Sequence, residues 1–151
     1  MEPERRVRHS EGDLRWIGAI VLRPEPASVG RARSWFRTLA AHERMTCPLP
    51  DCEVMLSELV TNAVKCGSAE GEWRVRVDWY RAGAALRVAV RNPVTAAAWP
   101  RCGAASLEGG GGRGLVIVRA LADDWWSECD GRGGVLVVFE VDKAWESADG
   151  T

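Results

Sequence analysis

The spacing of apolar residues changes from one segment of the chain to the next, and each spacing predicts an element of secondary structure. Residues 16–22 form a short apolar run that is typical of a strand. Apolar positions three and four residues apart then predict a helix that begins at a Ser28 cap and continues to about Arg44. The apolar side of this helix consists of Val29, Ala32, Trp35, Phe36, Leu39 and Ala40.

A second helix is predicted over residues 52–66, after the linker 47–51. Asp51 is a residue type that caps helices well, and Gly67 is a residue type that ends them. One apolar stripe follows this helix: Cys52, Leu56, Leu59, Val60, Ala63 and Val64.

Strict alternation of apolar and polar residues predicts two strands, 73–80 and 86–92. The turn 81–84 joins them, so they form a hairpin with one buried face. Pro93 ends the second strand, because proline cannot donate a hydrogen bond to a neighbouring strand. Residues 93–112 are a long loop, and a loop of such length in a compact domain is often a lid or a binding loop.

The rest of the chain predicts a third helix at 112–123 and a closing hairpin of strands from 125–130 and 135–141. Strands and helices in this order predict an α+β fold. We expect a two-layer α/β sandwich, with a mainly antiparallel mixed sheet and about three helices on one face.

The sequence therefore predicts one domain at residues 16–142, between a disordered extension, 1–15, and a polar tail, 143–151. A net charge of -1 without a basic stripe argues against direct nucleic-acid binding. No apolar run is long enough to span a membrane, and the start of the chain lacks the apolar segment of a signal peptide. The cysteines, which form no CxxC pair, are then expected to be reduced thiols in the cytoplasm: Cys47, Cys52, Cys66, Cys102 and Cys129.

Two polar residues of the second helix carry candidate chemistry. Glu58 and Asn62 are one helical turn apart and share an edge of the helix, with Lys65 beside them. A solvated face with an ordinary polar pair explains such a pattern in most helices. The alternative is a functional edge, on which Asn62 ligates Mg²⁺ and Glu58 accepts a proton from a hydroxyl or a water.

The glycine-rich stretch 108–115 precedes the third helix and includes Arg113. Backbone N–H groups at a helix N-terminus bind phosphate, although a flexible hinge explains the same glycines equally well. A dinucleotide-binding fold is excluded, because its glycine motif directly follows a strand and here a long loop comes first. No GK[ST] is present, so the stretch is not a P-loop.

The segments LRPEPASVGRARSWFRTL, LSELVTNAVKCG and GGRGLVIVRALADDW together resemble the GHKL ATP-binding superfamily, over residues 16–141. They are most similar to the anti-sigma factor serine/threonine kinases and their single-domain relatives. The resemblance implies a Bergerat-type sandwich that holds Mg·ATP between helices, beneath a mobile lid at 94–109. It assigns Glu58 as the catalytic base and Asn62 as the magnesium ligand. It places the nucleotide at Asn62, Lys65, Asn92, Gly110, Gly112, Arg113 and Gly114.

The sequence departs from the family where Asn92-Pro93-Val94 replaces Asp-x-Gly. The family's Asp accepts a hydrogen bond from the adenine amino group, and its Gly makes room for the ring. The Asn92 carbonyl can still accept that bond, but it lacks the negative charge, and Val94 adds a branched side chain. We therefore expect weakened or lost ATP binding.

Two functions remain open. One is an anti-sigma-type kinase that phosphorylates Ser or Thr of an antagonist protein and sequesters a transcription regulator such as a sigma factor. The other is a non-catalytic pseudokinase regulator that binds a protein partner with weak or no ATP binding. The resemblance also suggests a homodimer.

Overall fold

The computed structural model of the protein describes residues 11–66, 74–92, 114–129 and 134–146. Within these ranges five strands and three helices follow each other in the predicted order. A single turn of 3-10 helix, Glu11–Asp13, comes before them. The elements are β1 (Arg15–Leu22), α1 (Ala27–His42), α2 (Leu49–Cys66), β2 (Val75–Ala82), β3 (Ala85–Asn92), α3 (Gly114–Leu121), β4 (Asp124–Cys129) and β5 (Val135–Val141).

The five described strands form one sheet in the order β1-β2-β3-β5-β4. All four neighbouring pairs are antiparallel, so this sheet is antiparallel rather than mixed. The predicted α+β sandwich is confirmed, with the helices packed on one face of the sheet. Among the described helices none is long and apolar enough to cross a membrane.

The core lies between the sheet and the helices. Alternate residues of the strands point toward the helical layer, because successive side chains of a strand point to opposite faces. Trp79 is fully buried there, and its ring stacks with that of Phe36 at 6.2 Å between centroids. The largest other contributions come from Met55, Leu56, Leu59 and Val60 on α2, Val75 and Val77 on β2, Leu86, Val88 and Val90 on β3, and Phe139 on β5.

The prediction of one buried face holds for β2 but is wrong for β3, which is buried on both faces. On the face away from the helices, Arg87 donates from Nε to Glu140 Oε2 at 2.8 Å. Its guanidinium also lies 4.9 Å from the ring centroid of Trp126. The cause is the sheet order, since β3 lies between β2 and β5 and its polar face meets side chains from β5 and β4.

Both predicted helix caps are wrong. Ser28 is the second residue of α1, and its hydroxyl donates back to the Arg23 carbonyl at 2.6 Å while Pro26 takes the cap position. Helix α2 begins at Leu49, and the backbone N–H of Asp51 already donates to the Pro48 carbonyl. A helix tolerates proline in its first turn, where the N–H groups have no partner within the helix.

The folded domain extends past its predicted end at residue 142. Ala144 and Trp145 belong to the core, so the segment predicted as a polar tail begins with buried residues. The Ala144 carbonyl accepts from the backbone N–H of Cys47 at 3.0 Å. Trp145 Nε1 donates to the Glu43 carbonyl at 2.8 Å, and Arg81 lies 4.2 Å from the Trp145 ring centroid. These contacts tie the chain after β5 to the segment between α1 and α2.

Candidate functional site

The predicted pair on α2 consists of a free carboxylate and a buried amide. Glu58 is half-buried and makes no hydrogen bond or ion pair to any described residue. Asn62, one turn later, is only 5% exposed. Its Nδ2 is buried without a hydrogen-bond partner in the described part of the chain. This arrangement argues against the ordinary solvated pair, because a solvated asparagine would reach water.

An unpartnered buried amide is costly, since it has lost its water and gained no bond in return. Rotating the Asn62 amide by 180° exchanges its nitrogen and oxygen. In either orientation one amide atom lies in the buried position that has no described partner. A ligand that meets this atom would remove the cost, and Mg²⁺ would do so if the oxygen occupies that position.

Asn92, the last residue of β3, is the second buried amide. Its Nδ2 donates to the carbonyls of Val90 and Val135, at 3.3 and 3.4 Å. Because those two carbonyls only accept, they fix which end of the amide is nitrogen. Oδ1 therefore points the other way, where it is buried without a partner among the described residues. Asn92 lies two and four residues after Val90 and Val88 on the same strand. Because side chains of a strand alternate between its faces, Asn92 is on the helix-facing side of the sheet with them.

The elements that carry these residues pack against each other. Helix α2 contacts both β3 and α3, so the helix with Glu58 and Asn62 adjoins the strand that ends at Asn92. Gly114 is the first residue of α3. Lys65 lies in the last turn of α2 and is exposed. The structure thus brings together the elements of five predicted site residues: Glu58, Asn62, Lys65, Asn92 and Gly114.

The remaining predicted site residues, Gly110, Gly112 and Arg113, lie outside the described residues. The same is true of the loop 93–112, which contains the predicted lid 94–109 and the Pro93-Val94 step.

A dedicated metal cage is absent from the described residues, which contain no cluster of three or more His, Cys, Asp or Glu side chains able to hold an ion. The donor set nevertheless suits one kind of magnesium site. Mg²⁺ in nucleotide enzymes keeps several waters and is held by one or two protein oxygens together with the substrate phosphates. Asn62 fits such a site as a single protein ligand.

One polar contact beside Glu58 was not predicted. Arg33 on α1 donates from Nη1 to Ser57 Oγ at 3.3 Å, and Ser57 is the residue before Glu58. Helix α1 therefore places a guanidinium at the residue before Glu58, in the middle of α2. The sequence carries no indication of this contact, because it depends on how two helices pack.

Comparison with known families finds a match across most of the chain. A family model described as histidine kinase-like ATPase domain matches residues 22–139. The matched region runs from the end of β1 into β5 and contains the two buried amides, Glu58 and the glycine-rich stretch. A comparison with curated proteins finds no significant match.

Proposed function

This chain belongs to the family of histidine kinase-like ATPase domains, and from that premise we propose that it binds Mg·ATP between the helices and the end of β3. The observation that carries the proposal is the pair of buried amides, Asn62 and Asn92. Each has an atom without a described partner, and their elements pack together. Two unmet hydrogen-bonding groups on adjoining elements are what a polar ligand would satisfy.

Asn92 is proposed to contact the adenine ring of ATP. Its Oδ1 is a buried acceptor with a fixed orientation, so it can accept a hydrogen bond from the amino group of adenine. A neutral amide makes a weaker bond to that amino group than a carboxylate does. The affinity for ATP is therefore expected to be lower than in a protein with aspartate at this position.

Asn62 is proposed to orient the phosphates through Mg²⁺. When bound, the ion neutralises charge that develops on the phosphate oxygens. The backbone N–H groups at the start of α3 are suited to the same phosphates, because a helix N-terminus that begins at glycine leaves them accessible.

Glu58 is proposed to act as the base. Its carboxylate is half-buried and free of any ion pair or hydrogen bond to described residues, so it can take a proton from an approaching hydroxyl. In an anti-sigma-type kinase that hydroxyl would belong to a Ser or Thr of an antagonist protein. We place this activity in the cytoplasm, with a sigma factor or its antagonist as the protein partner and a homodimer as the assembly. The sequence resemblance supports the partner and the assembly, and the expectation of reduced thiols supports the location.

A second candidate is a non-catalytic regulator on the same fold. The replacement of Asp-x-Gly by Asn92-Pro93-Val94 favours it, because the change removes a negative charge and adds a branched side chain where the adenine ring would bind. Such a protein would bind its partner protein through the intact sandwich and turn over no ATP. The free carboxylate of Glu58 and the buried amide of Asn62 favour the kinase.

Base selectivity tests the proposed site. Guanine presents an oxygen where adenine has its amino group, so GTP would leave the Asn92 Oδ1 unsatisfied. We expect GTP to bind about 1–3 kcal/mol more weakly than ATP, roughly 5- to 150-fold. Titration of the full chain with each nucleotide in the presence of Mg²⁺ measures the ratio.

The matched control is Asn92→Leu, which has a similar volume and no acceptor. We expect it to weaken ATP binding and to bring the ratio of the two affinities close to one. Equal affinity of the unmodified protein for ATP and GTP would show that Asn92 does not contact the base. A circular dichroism melt of Asn92→Leu confirms that the variant is folded.

A further inference from the structure

Two cysteine side chains lie within hydrogen-bond distance of each other at the start of α2. Cys47 Sγ is 3.7 Å from Cys52 Sγ, and both residues are buried. Cys47 belongs to the segment between α1 and α2, and Cys52 is the fourth residue of α2. Neither takes part in the proposed nucleotide site.

Both ends of this pair are held in place by the fold. The backbone N–H of Cys47 donates to the Ala144 carbonyl, which fixes the segment before α2. Cys52 is only 1% exposed and lies on the buried side of α2 with Leu56. Cys47 is also buried, with 6% of the residue exposed.

The two thiols have opposite tendencies to ionise. The hydrogen bond from the Cys52 thiol lowers the pKa of Cys47 below the usual thiol value. The same hydrogen bond, burial and the charges of Asp51 and Glu53 raise the pKa of Cys52. Cys47 is therefore the more readily ionised member of the pair. The thiolate is the form of cysteine that reacts with oxidants.

We propose that Cys47 and Cys52 form a redox-active dithiol that hydrogen peroxide closes to a disulfide. The Cys47 thiolate attacks one peroxide oxygen, the O–O bond breaks, and Cys47 becomes a sulfenic acid while hydroxide leaves and takes up a proton as water. The Cys52 sulfur then attacks the Cys47 sulfur, the S–O bond breaks, and the Cys52 proton leaves with the hydroxyl as a second water. Two thiols are oxidised and one peroxide is reduced to two waters.

The geometry suits the second step. A disulfide has an S–S distance of about 2.05 Å, so the two sulfurs must move closer by roughly 1.7 Å. Rotation of the two cysteine side chains would supply a movement of this size without a change in the backbone hydrogen bond of Cys47. The proposal does not depend on the nucleotide site, so failure of one leaves the other standing.

Peptide mapping of the full chain tests the proposal directly. Trypsin cuts after Arg44 and Lys65, and the peptide 45–65 contains Cys47 and Cys52 but no other cysteine. The reduced protein is treated with hydrogen peroxide and then denatured in the presence of a maleimide, which alkylates the remaining thiols. It is digested and analysed by mass spectrometry. We expect that this peptide carries no maleimide group and is two hydrogens lighter than the free dithiol. Oxidation of its methionines adds oxygen and is distinguished by mass.

Two variants assign the roles of the sulfurs. Cys52→Ser should retain sulfenic acid on Cys47, detected as a dimedone adduct, because the second thiol is missing. Cys47→Ser should leave Cys52 unoxidised, since the Cys52 thiol is buried. Exposed Cys129 serves as the internal check that peroxide has acted.

Three outcomes would overturn the proposal. The first is a peptide 45–65 that still carries two maleimides when Cys129 is oxidised. The second is Cys47 converted to sulfinic or sulfonic acid in the unmodified protein, which would mean that Cys52 does not reach it. The third is a disulfide from Cys47 or Cys52 to a cysteine of a second molecule, seen as a cross-linked peptide that contains residues 45–65. The first outcome would leave the two cysteines as small apolar residues of the core, and the other two would show that Cys47 and Cys52 do not close to a disulfide with each other.

Discussion

Replacing Glu58 with glutamine is expected to lower the rate of ATP hydrolysis about 10²- to 10⁴-fold and to leave the affinity for ATP unchanged. Glutamine has nearly the same shape as glutamate but cannot take a proton from the attacking hydroxyl or water. No described residue pairs with the Glu58 carboxylate, so the change breaks no described contact. Release of inorganic phosphate by the purified protein measures the rate, and titration with a non-hydrolysable ATP analogue measures binding.

Glu53→Gln is the matched control on the same helix. The Glu53 carboxylate pairs with Arg37 at 2.6 Å, away from the candidate site, so its loss should leave hydrolysis at the level of the unmodified protein. A Glu58→Gln variant that hydrolyses ATP at the original rate would remove Glu58 from catalysis. An unmodified protein that binds ATP without any hydrolysis would instead favour the non-catalytic regulator.

Trp79→Ala is expected to lower the free energy of unfolding by about 3–5 kcal/mol. Trp79 is fully buried, stacks with Phe36 and lies between the sheet and the helices. Its Nε1 has no described hydrogen-bond partner, so the loss comes from apolar contact and from the cavity that remains. Urea denaturation followed by circular dichroism gives the free energy by linear extrapolation.

Trp16→Ala is the matched control for this change. Trp16 is 55% exposed, and its indole nitrogen donates to Asp78 Oδ1 at 3.0 Å. We expect its free energy of unfolding to fall by less than about 1.5 kcal/mol, because an exposed hydrogen bond contributes little to stability. Equal losses in the two variants would mean that the core is not centred on the Trp79–Phe36 stack.

The elements of the fold could be predicted because each has its own period of apolar residues. The helical spacing in α1 and α2 and the alternation in β2 depend only on neighbouring positions of the chain. The second buried face of β3 could not be predicted, since β5 pairs with β3 from some fifty positions later in the sequence. Trp145 was missed for a similar reason, because its partners Glu43 and Arg81 are distant in sequence.

The candidate site, like the fold, could be predicted only in part. Glu58 and Asn62 were predicted to share an edge because one helical turn separates them. The orientation of Asn92 depends on the Val135 carbonyl, which lies 43 residues away, and no local pattern indicates it. The contacts of Arg33 with Ser57 and of Cys47 with Cys52 also depend on packing and could not be predicted from spacing.

The most direct test of the nucleotide site is a calorimetric titration of the full chain with ATP and Mg²⁺, beside Asn62→Ala. We expect roughly micromolar binding to the unmodified protein, loss of that binding in Asn62→Ala, and no binding of Mg²⁺ alone. Thr38→Ala, an exposed hydroxyl that bonds within α1, should bind as the unmodified protein does. A folded protein that shows no heat of binding at millimolar ATP would overturn the nucleotide site and with it the kinase.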